Sequence, residues 1–156
     1  MEYFYFIYFL LHIPITIVID ATVVIPPWFQ WQEKLVEFHQ QANGDFLLDS
    51  KPLWFRSFVY LELVLQLPAF VVFVIDYWRN SRFSPRWYPL ITIYGFNAAL
   101  TTYTCLVYIA QREVVGSGLV RFNWPLFLVY LPTFMIPAVM SVQYYLKCVS
   151  LLSNLK

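Results

Sequence analysis

Charged residues are scarce in this chain of 156 residues: Asp, Glu, Lys and Arg together make up 12% of it, and the formal net charge is +1. A balance so close to neutral gives no basis for binding nucleic acid, which requires many phosphate contacts by Lys and Arg. Hydrophobic residues make up 60% of the chain, which is well above the share in an average soluble domain. The sequence therefore predicts an integral membrane protein.

Cysteine is also rare, and both copies, Cys105 and Cys148, lie in apolar stretches. Their spacing matches no metal-binding or redox motif, so we interpret them as small hydrophobic residues and expect neither a metal nor a cofactor. Aromatic residues, in contrast, are abundant, with 15 Phe, 12 Tyr and 6 Trp. This abundance is typical of chains whose rings anchor helix ends at the membrane interface.

Four apolar stretches are each long enough to cross about 30 Å of hydrocarbon as a helix. The predicted spans cover residues 3–25, 55–77, 87–110 and 124–146. Between the first two, Trp28, Trp31, Leu35 and Phe38 follow helical spacing, which predicts a short helix lying at the membrane interface. The chain contains no internal repeat. The predicted fold is an all-α membrane protein, a four-transmembrane-helix bundle in a single domain over residues 1–156.

Four crossings place both termini on the same side of the membrane. Lys and Arg divide five to five between the two sides, but the short second connection contains three arginines, Arg79, Arg82 and Arg86. Because positively charged connections favour the cytosolic side, we expect the termini in the cytosol. Five charges of the first connection are interpreted as solvated, namely Glu33, Lys34, Glu37, Asp49 and Lys51.

The stretch WFRSFVYLELVLQLP, residues 54–68, places Glu62 and Gln66 four residues apart inside an apolar segment. A carboxyl group in the membrane is costly, so it usually has a partner or a function. Helix rise places Glu62 about 10 Å, and Asp20 of the first span about 7 to 8 Å, below the surface that carries the first connection. Asp45 belongs to that connection. We therefore expect three acids in one half of the membrane.

Polar residues of the other spans lie at matching depth, and in the first span His12, Thr16 and Asp20 form one stripe at a spacing of four. The predicted ligand-binding residues are His12, Thr16, Asp20, Asp45, Glu62, Gln66, Thr101, Tyr130 and Thr133. We expect them to line a cavity with a polar floor and aromatic and aliphatic walls. Because neighbouring carboxyls do not all ionise, the cavity should carry about one negative charge for a cationic ligand. In this hypothesis Glu62 is protonated and bonds to Asp20 or Asp45.

The segments YFLLHIPITIVID, residues 8–20, and WFRSFVYLELVLQLP are similar to the sigma-2 receptor family of the EXPERA superfamily, which also includes the emopamil-binding sterol isomerases. DFLL at Asp45, and VYLP and MIP between Val129 and Pro137, are similar too. The resemblance implies a four-helix protein of the endoplasmic reticulum membrane, often dimeric. It also implies cytosolic termini and a lumen-side pocket that opens laterally to the bilayer.

By position, the resemblance implies that Asp20 pairs with a ligand amine and that Asp45 orients it. It places Glu62, Gln66 and His12 on the pocket floor and Tyr130 in the wall. Thr133 stands where the family has an aromatic residue, which changes the expected shape of the pocket.

The expected function is a non-catalytic receptor that binds sterols or cationic amphiphiles and regulates sterol homeostasis or trafficking. It would act as a homodimer, with a sterol-transport membrane protein as a partner. One alternative is a sterol double-bond isomerase, which needs an acid and a base around the sterol. The third and fourth spans carry neither an acid nor a His, which disfavours it. Another alternative is an assembly or quality-control factor of the endoplasmic reticulum membrane, and nothing in the sequence separates it from the receptor.

Overall fold

The computed structural model of the protein describes residues 1–26, 33–111 and 122–153, and no strand occurs in these ranges. Within these ranges the chain forms α-helices, together with the 3₁₀ turns Asp20–Val23 and Pro85–Trp87 and the π-helical turn Glu62–Gln66. The α-helices in the described ranges are α1 Glu2–Val18, α2 Glu33–Asn43, α3 Phe46–Ser50, α4 Leu53–Leu61, α5 Leu67–Asn80, α6 Tyr88–Gln111 and α7 Trp124–Ser153.

Four helical stretches of the described ranges are long and apolar enough to cross a membrane. They are Glu2–Val23, Leu53–Asn80, Pro85–Gln111 and Trp124–Ser153. The prediction of an all-α fold with four transmembrane helices is therefore confirmed. The largest difference in bounds is in α7, which was predicted to end at residue 146 and continues to Ser153. The residues after Lys147 are mostly apolar, and the Lys147 ammonium binds the Glu2 carboxylate, so this charge does not end the helix.

The first span changes its helical form near its end. The α-helix α1 ends at Val18, and the chain continues as a 3₁₀ turn from Asp20. The Ile19 carbonyl accepts both the hydroxyl of Thr22, at 2.6 Å, and its backbone N–H, at 3.1 Å, so this carbonyl at the helix end is held by two hydrogen bonds to the 3₁₀ turn. Asp20 thus lies at the junction of the two helical forms.

The second span contains a π-helical turn at its two polar residues, Glu62 and Gln66. Pro68 follows this turn, and proline has no N–H to give to the carbonyl four residues earlier. The N–H of Leu67 instead reaches the Glu62 carbonyl, five residues back. Such turns occur frequently at functional sites.

The half of the bundle near the second connection is packed with aromatic rings. We call this set the aromatic cluster: Phe9, Phe70, Phe73, Phe83 and Tyr94. All five side chains are buried, and ring centroids lie 4.9 Å apart for Phe9 and Phe73 and 5.1 Å apart for Phe70 and Tyr94. Tilted and edge-to-face pairs at such distances contribute beyond their buried area. The cluster fills this half of the bundle.

Helices α6 and α7 approach each other closely at Gly95. A Cβ atom at this position would lie 2.6 Å from the backbone oxygen of Pro137. Nearby, the Ser141 hydroxyl donates to the Thr92 carbonyl of the other helix at 3.0 Å. Small residues permit such close approaches between membrane helices, so Gly95 sets the spacing of this helix pair.

The first connection is fixed to the spans at two points. Gly44 has a φ of 62°, a left-handed conformation that favours glycine. The side-chain amide of Asn123, before α7, donates to the carbonyls of Asn43 and Gly44, at 3.2 Å each. Lys51 was predicted to be a solvated charge, and this was wrong, since its ammonium donates to the Thr22 carbonyl at 3.0 Å. A carbonyl at the end of the first span attracts it.

Helix α2 confirms that the first connection contains a short helix. Leu35 and Phe38 are 55% and 70% exposed, as expected for a helix whose apolar side faces lipid at the interface. Trp28 and Trp31, which the prediction also used, lie outside the described residues.

Candidate ligand-binding site

A cavity of about 160 Å³ lies between the aromatic cluster and the first connection. Eight of the nine residues predicted from the sequence line it: His12, Asp20, Asp45, Glu62, Gln66, Thr101, Tyr130 and Thr133. The ninth, Thr16, is fully buried and donates its hydroxyl hydrogen to Glu62 Oε1 at 2.6 Å. All four spans and the first connection thus contribute to one site.

Two carboxyl groups of neighbouring spans meet in this cavity. Asp20 and Glu62 interact with each other, and Asp20 also interacts electrostatically with Asp45. Both Asp20 and Glu62 are half-buried and face the cavity. In the described residues, no group of three or more His, Cys, Asp or Glu side chains could hold a metal ion. The cavity therefore combines acidic groups of two spans and of the first connection.

The Asp45 carboxylate accepts hydrogen bonds from other groups of the protein. It is 2% exposed, and its Oδ1 accepts the backbone N–H groups of Leu47 and Leu48 at 3.0 and 3.2 Å, as an N-cap residue does. Its Oδ2 accepts the Tyr130 hydroxyl at 3.1 Å. Asp45 therefore positions α3 and Tyr130, and its predicted effect on a ligand amine would act through them.

His39 of α2 also lines the cavity, although the sequence analysis did not select it. Its Nδ1 lies 3.3 Å from the side-chain amide nitrogen of Asn43, and its Nε2 lies 3.4 Å from Asp45 Oδ2. An amide nitrogen only donates, which assigns the hydrogen of a neutral imidazole to Nε2. His39 thus closes the Asp45 side of the cavity. The sequence feature that could have identified His39 as a lining residue is its position six residues before Asp45, on the predicted interfacial helix.

Two threonine hydroxyls in the lining use their hydrogens in bonds to backbone carbonyls. The Thr101 hydroxyl donates to the carbonyls of Asn97 and Ala98, at 3.1 Å each, and the Thr133 hydroxyl to the Tyr130 carbonyl at 2.8 Å. A hydroxyl whose hydrogen is used in this way offers only lone pairs to a ligand. Together with the carboxyl groups, these side chains favour a ligand that donates hydrogen bonds.

Tyrosine and histidine rings form the floor of the cavity. The Tyr94 hydroxyl donates to the Tyr8 hydroxyl at 3.4 Å, and the His12 and Tyr8 rings are 4.1 Å apart. Tyr8 also lines the cavity and was not among the predicted residues, although it lies four residues before His12 and continues the stripe of the first span. The floor is continuous with the aromatic cluster through Tyr94.

Comparison with known proteins identifies the relatives of this chain. The family model that matches residues 31–144 is that of EXPERA, the EXPanded EBP superfamily. The chain belongs to the EXPERA family. This confirms the resemblance found in the first two spans, and the helices of this EXPERA protein make it a multi-pass membrane protein.

Two relatives are similar to this EXPERA protein over most of its length. Efficient mitochondria targeting-associated protein 19 of Saccharomyces cerevisiae is 44% identical over 150 residues, which cover 87% of this chain and 92% of that protein. Sigma intracellular receptor 2 of Xenopus tropicalis is 30% identical over 148 residues, which cover 90% and 85%. The human sigma intracellular receptor 2 is 36% identical over 83 residues, which cover 52% of this chain.

The cavity of this EXPERA protein reaches the outer surface of the bundle within the spans. Two of its lining residues, Ile15 of α1 and Val129 of α7, are 42% and 40% exposed. Both are apolar and lie inside membrane-spanning helices, where the outer surface faces lipid. The lining of the cavity therefore includes side chains on the outer surface of the spans.

Proposed function

We propose that this EXPERA protein is a non-catalytic membrane receptor that binds a sterol or a cationic amphiphile and regulates sterol homeostasis or trafficking. The observation that carries the proposal is the pair of interacting carboxyl groups, Asp20 and Glu62, that faces a cavity within the spans. Intramembrane acids are costly and are usually functional. The pair would receive the polar head of the ligand.

The charge and the hydrogen bonds of the lining side chains support a ligand that donates hydrogen bonds. Two carboxyl groups in contact share a proton, so the pair is expected to carry about one negative charge. A protonated amine would neutralise this charge, and a sterol hydroxyl would donate a hydrogen bond to it. The lone pairs of Thr101 and Thr133 would accept further hydrogens of either group.

The size of the cavity indicates how such a ligand would lie. A volume of about 160 Å³ is close to that of the engineered cavity of about 150 Å³ that binds benzene. The head and one ring of a ligand therefore fit inside. The rest of an amphiphile, or of a sterol, would extend past Ile15 and Val129 into the lipid.

The cellular setting belongs to the same proposal. We place the protein in the endoplasmic reticulum membrane, as a homodimer with cytosolic termini and with a sterol-transport membrane protein as a partner. The similarity to sigma intracellular receptor 2 over 90% of this chain supports the receptor role. The arginines of the second connection support the orientation.

The test is binding of a labelled sterol and of a labelled cationic amphiphile to the purified protein. Asp20→Asn and Glu62→Gln should weaken amine binding about ten- to one-hundred-fold, because each removes a charge-assisted hydrogen bond or its support. Asp49→Asn is the matched control, since Asp49 is an exposed acid on the neighbouring helix α3. Unchanged amine binding in both cavity variants, with the fold intact, would refute the proposal.

A second candidate function follows from the relative that is 44% identical, whose name links it to efficient targeting to mitochondria. On this hypothesis the protein is an assembly or quality-control factor, and the bound lipid is structural. Yeast cells that lack the relative would be supplied with this protein or with its Asp20→Asn variant. Equal rescue by both would favour the second candidate, whereas rescue only by the unchanged protein would tie the cellular role to the cavity.

The isomerase alternative can be tested in the same preparation. His12, Asp20 and Glu62 all face the cavity, so an acid and a base are available to a sterol. Incubation with a sterol that carries a ring double bond, followed by mass spectrometry and NMR, should return it unchanged. Migration of the double bond that is lost in Glu62→Gln would replace the receptor proposal with a catalytic one.

A further inference from the structure

The second connection is very short and lies at the opposite end of the bundle from the cavity. Only residues 81–84 separate the span that ends at Asn80 from the span that begins at Pro85. Arg79 lies in the last turn of one span, Arg82 in the connection and Arg86 in the first turn of the next. We call these three residues the arginine face. Residues at the ends of spans lie at the depth of the lipid headgroups, so the arginine face is held at that depth.

The backbone under the arginine face is fixed by buried contacts. Asp76 is 3% exposed, and it accepts the N–H and the hydroxyl of Ser84, both at 2.7 Å, and the side-chain amide of Asn80 at 3.1 Å. Phe83 is fully buried in the aromatic cluster, and its N–H donates to Glu2 at 3.2 Å. The arginines therefore project from a rigid frame and lose little backbone entropy when they bind.

The carboxylates near the arginine face are occupied by other partners. Glu2 accepts the Lys147 ammonium and the Phe83 N–H. Asp76 reaches Arg86 at 3.4 Å, but the Arg86 side chain is 71% exposed, and exposed ion pairs are weak. In the part of the chain that the structure describes, Arg79 and Arg82 form no ion pair and are exposed. The face thus has guanidinium groups free for an anion.

One guanidinium group lies over a tryptophan ring, and an exposed tryptophan precedes another arginine in sequence. Trp78, next to Arg79, is 77% exposed, and the Arg86 guanidinium carbon lies 5.0 Å from the centre of the Trp87 ring. Tryptophan is enriched where a protein meets the lipid headgroups. A planar guanidinium can bind phosphate oxygens through two parallel hydrogen bonds. The chemistry of the face therefore fits a phosphate that is carried by a lipid.

We propose that the arginine face is a binding site for the phosphate groups of anionic phospholipids in the leaflet that it faces. This site is separate from the cavity and does not depend on the proposed function. It would attach the second connection to an anionic leaflet and hold the orientation of the bundle. Each Arg near an anionic surface contributes about 1 kcal/mol, which is about five-fold in affinity.

The experiment uses the full chain in nanodiscs of phosphatidylcholine, with or without phosphatidic acid, and counts the retained phosphatidic acid by native mass spectrometry. Arg79→Gln, Arg82→Gln and Arg86→Gln, combined in one variant, should weaken retention about ten-fold or more. The matched control is Arg56→Gln, an exposed arginine in the first turn of α4, at the other membrane boundary. It should leave retention unchanged.

A second variant keeps the experiment decisive if the first fails to fold or changes its orientation. Arg→Lys at the same three positions preserves the charge and loses the paired guanidinium hydrogen bonds, so its retention should be intermediate. Full retention in the Gln variant, full retention in the Lys variant, or an equal loss in Arg56→Gln would each overturn the proposal. Glycerol phosphate in solution should compete poorly, because it lacks the membrane anchor, and efficient competition would also count against a lipid site.

Discussion

Thr16 is a residue on which the charge distribution of the cavity depends. It is fully buried, and its hydroxyl donates to Glu62 at 2.6 Å. Thr16→Val keeps the shape of the side chain and removes the donor, which leaves the Glu62 carboxyl without this hydrogen bond. We expect a loss of about 1 to 3 kcal/mol of stability and weaker amine binding. Thermal unfolding in detergent and the amine binding assay measure the two effects.

Thr104 provides the matched control for this substitution. It also lies in a span, but it is exposed, and its hydroxyl bonds to the Leu100 carbonyl of its own helix at 3.1 Å. Thr104→Val should change neither stability nor binding by a measurable amount. If both variants lose the same stability, the Thr16–Glu62 bond has no special role.

At the residue scale, the sequence was informative where helix geometry determines depth. The rise per residue places Asp20, Glu62 and Thr101 at similar depths in one half of the membrane, and the structure brings all three to one cavity. His39 was missed because the position of α2 depends on contacts such as Asn123 with Gly44, which no periodic pattern encodes. That Asp45 orients a ligand amine stays a prediction.

At the scale of elements, the α6–α7 pair depends on the absence of a side chain at Gly95. Gly95→Ala would place a Cβ atom 2.6 Å from the Pro137 oxygen, and both are in helix backbones that cannot easily move apart. Overpacking of this kind typically costs about 1 to 3 kcal/mol. We expect a lower unfolding temperature, measured in detergent. Ala110→Ser also adds one heavy atom to α6, at an exposed position, and should leave that temperature unchanged.

The helical spans themselves were predictable, because each requires only length and apolar composition. Their internal irregularities were not. The π-helical turn at Glu62–Gln66 follows from the N–H that Pro68 lacks and from packing, whereas an ordinary α-helix also fits the hydropathy of the stretch. Likewise, the predicted end of the last span, residue 146, excludes Lys147, whose partner, Glu2, is 145 residues away in sequence. Contacts between distant segments decide such features.

At the scale of the whole molecule, the two ends of the bundle differ in charge and in packing. The end near the first connection contains Asp20, Asp45, Glu62 and the cavity. The other end is filled by the aromatic cluster and carries the arginine face. The cluster closes the floor of the cavity toward the second connection, so a ligand bound at the acids should affect only one end of the protein.

Chemical labelling of the two cysteines would report on the two ends of the helix bundle separately. Cys105 is 4% exposed and lines the cavity, whereas Cys148 is half-buried in the last part of α7, at the other end. A bound amphiphile should therefore protect Cys105 from a small neutral maleimide that reaches it through the cavity. At a ligand concentration about ten times the Kd, about one protein in eleven is empty, so labelling of Cys105 should slow about ten-fold. Mass spectrometry of the labelled peptides measures both rates.

The rate at Cys148 provides the internal control, because no ligand contact is expected at that end. Asp20→Asn, with its predicted ten-fold or greater loss of affinity, should reduce the slowing at Cys105 to about two-fold or less, and it should leave both rates in the absence of ligand unchanged. Equal slowing of the two cysteines would mean that the ligand stabilises the whole bundle against opening and does not occupy the cavity. No slowing at Cys105, under conditions where the amphiphile is bound, would place its binding site elsewhere on the protein.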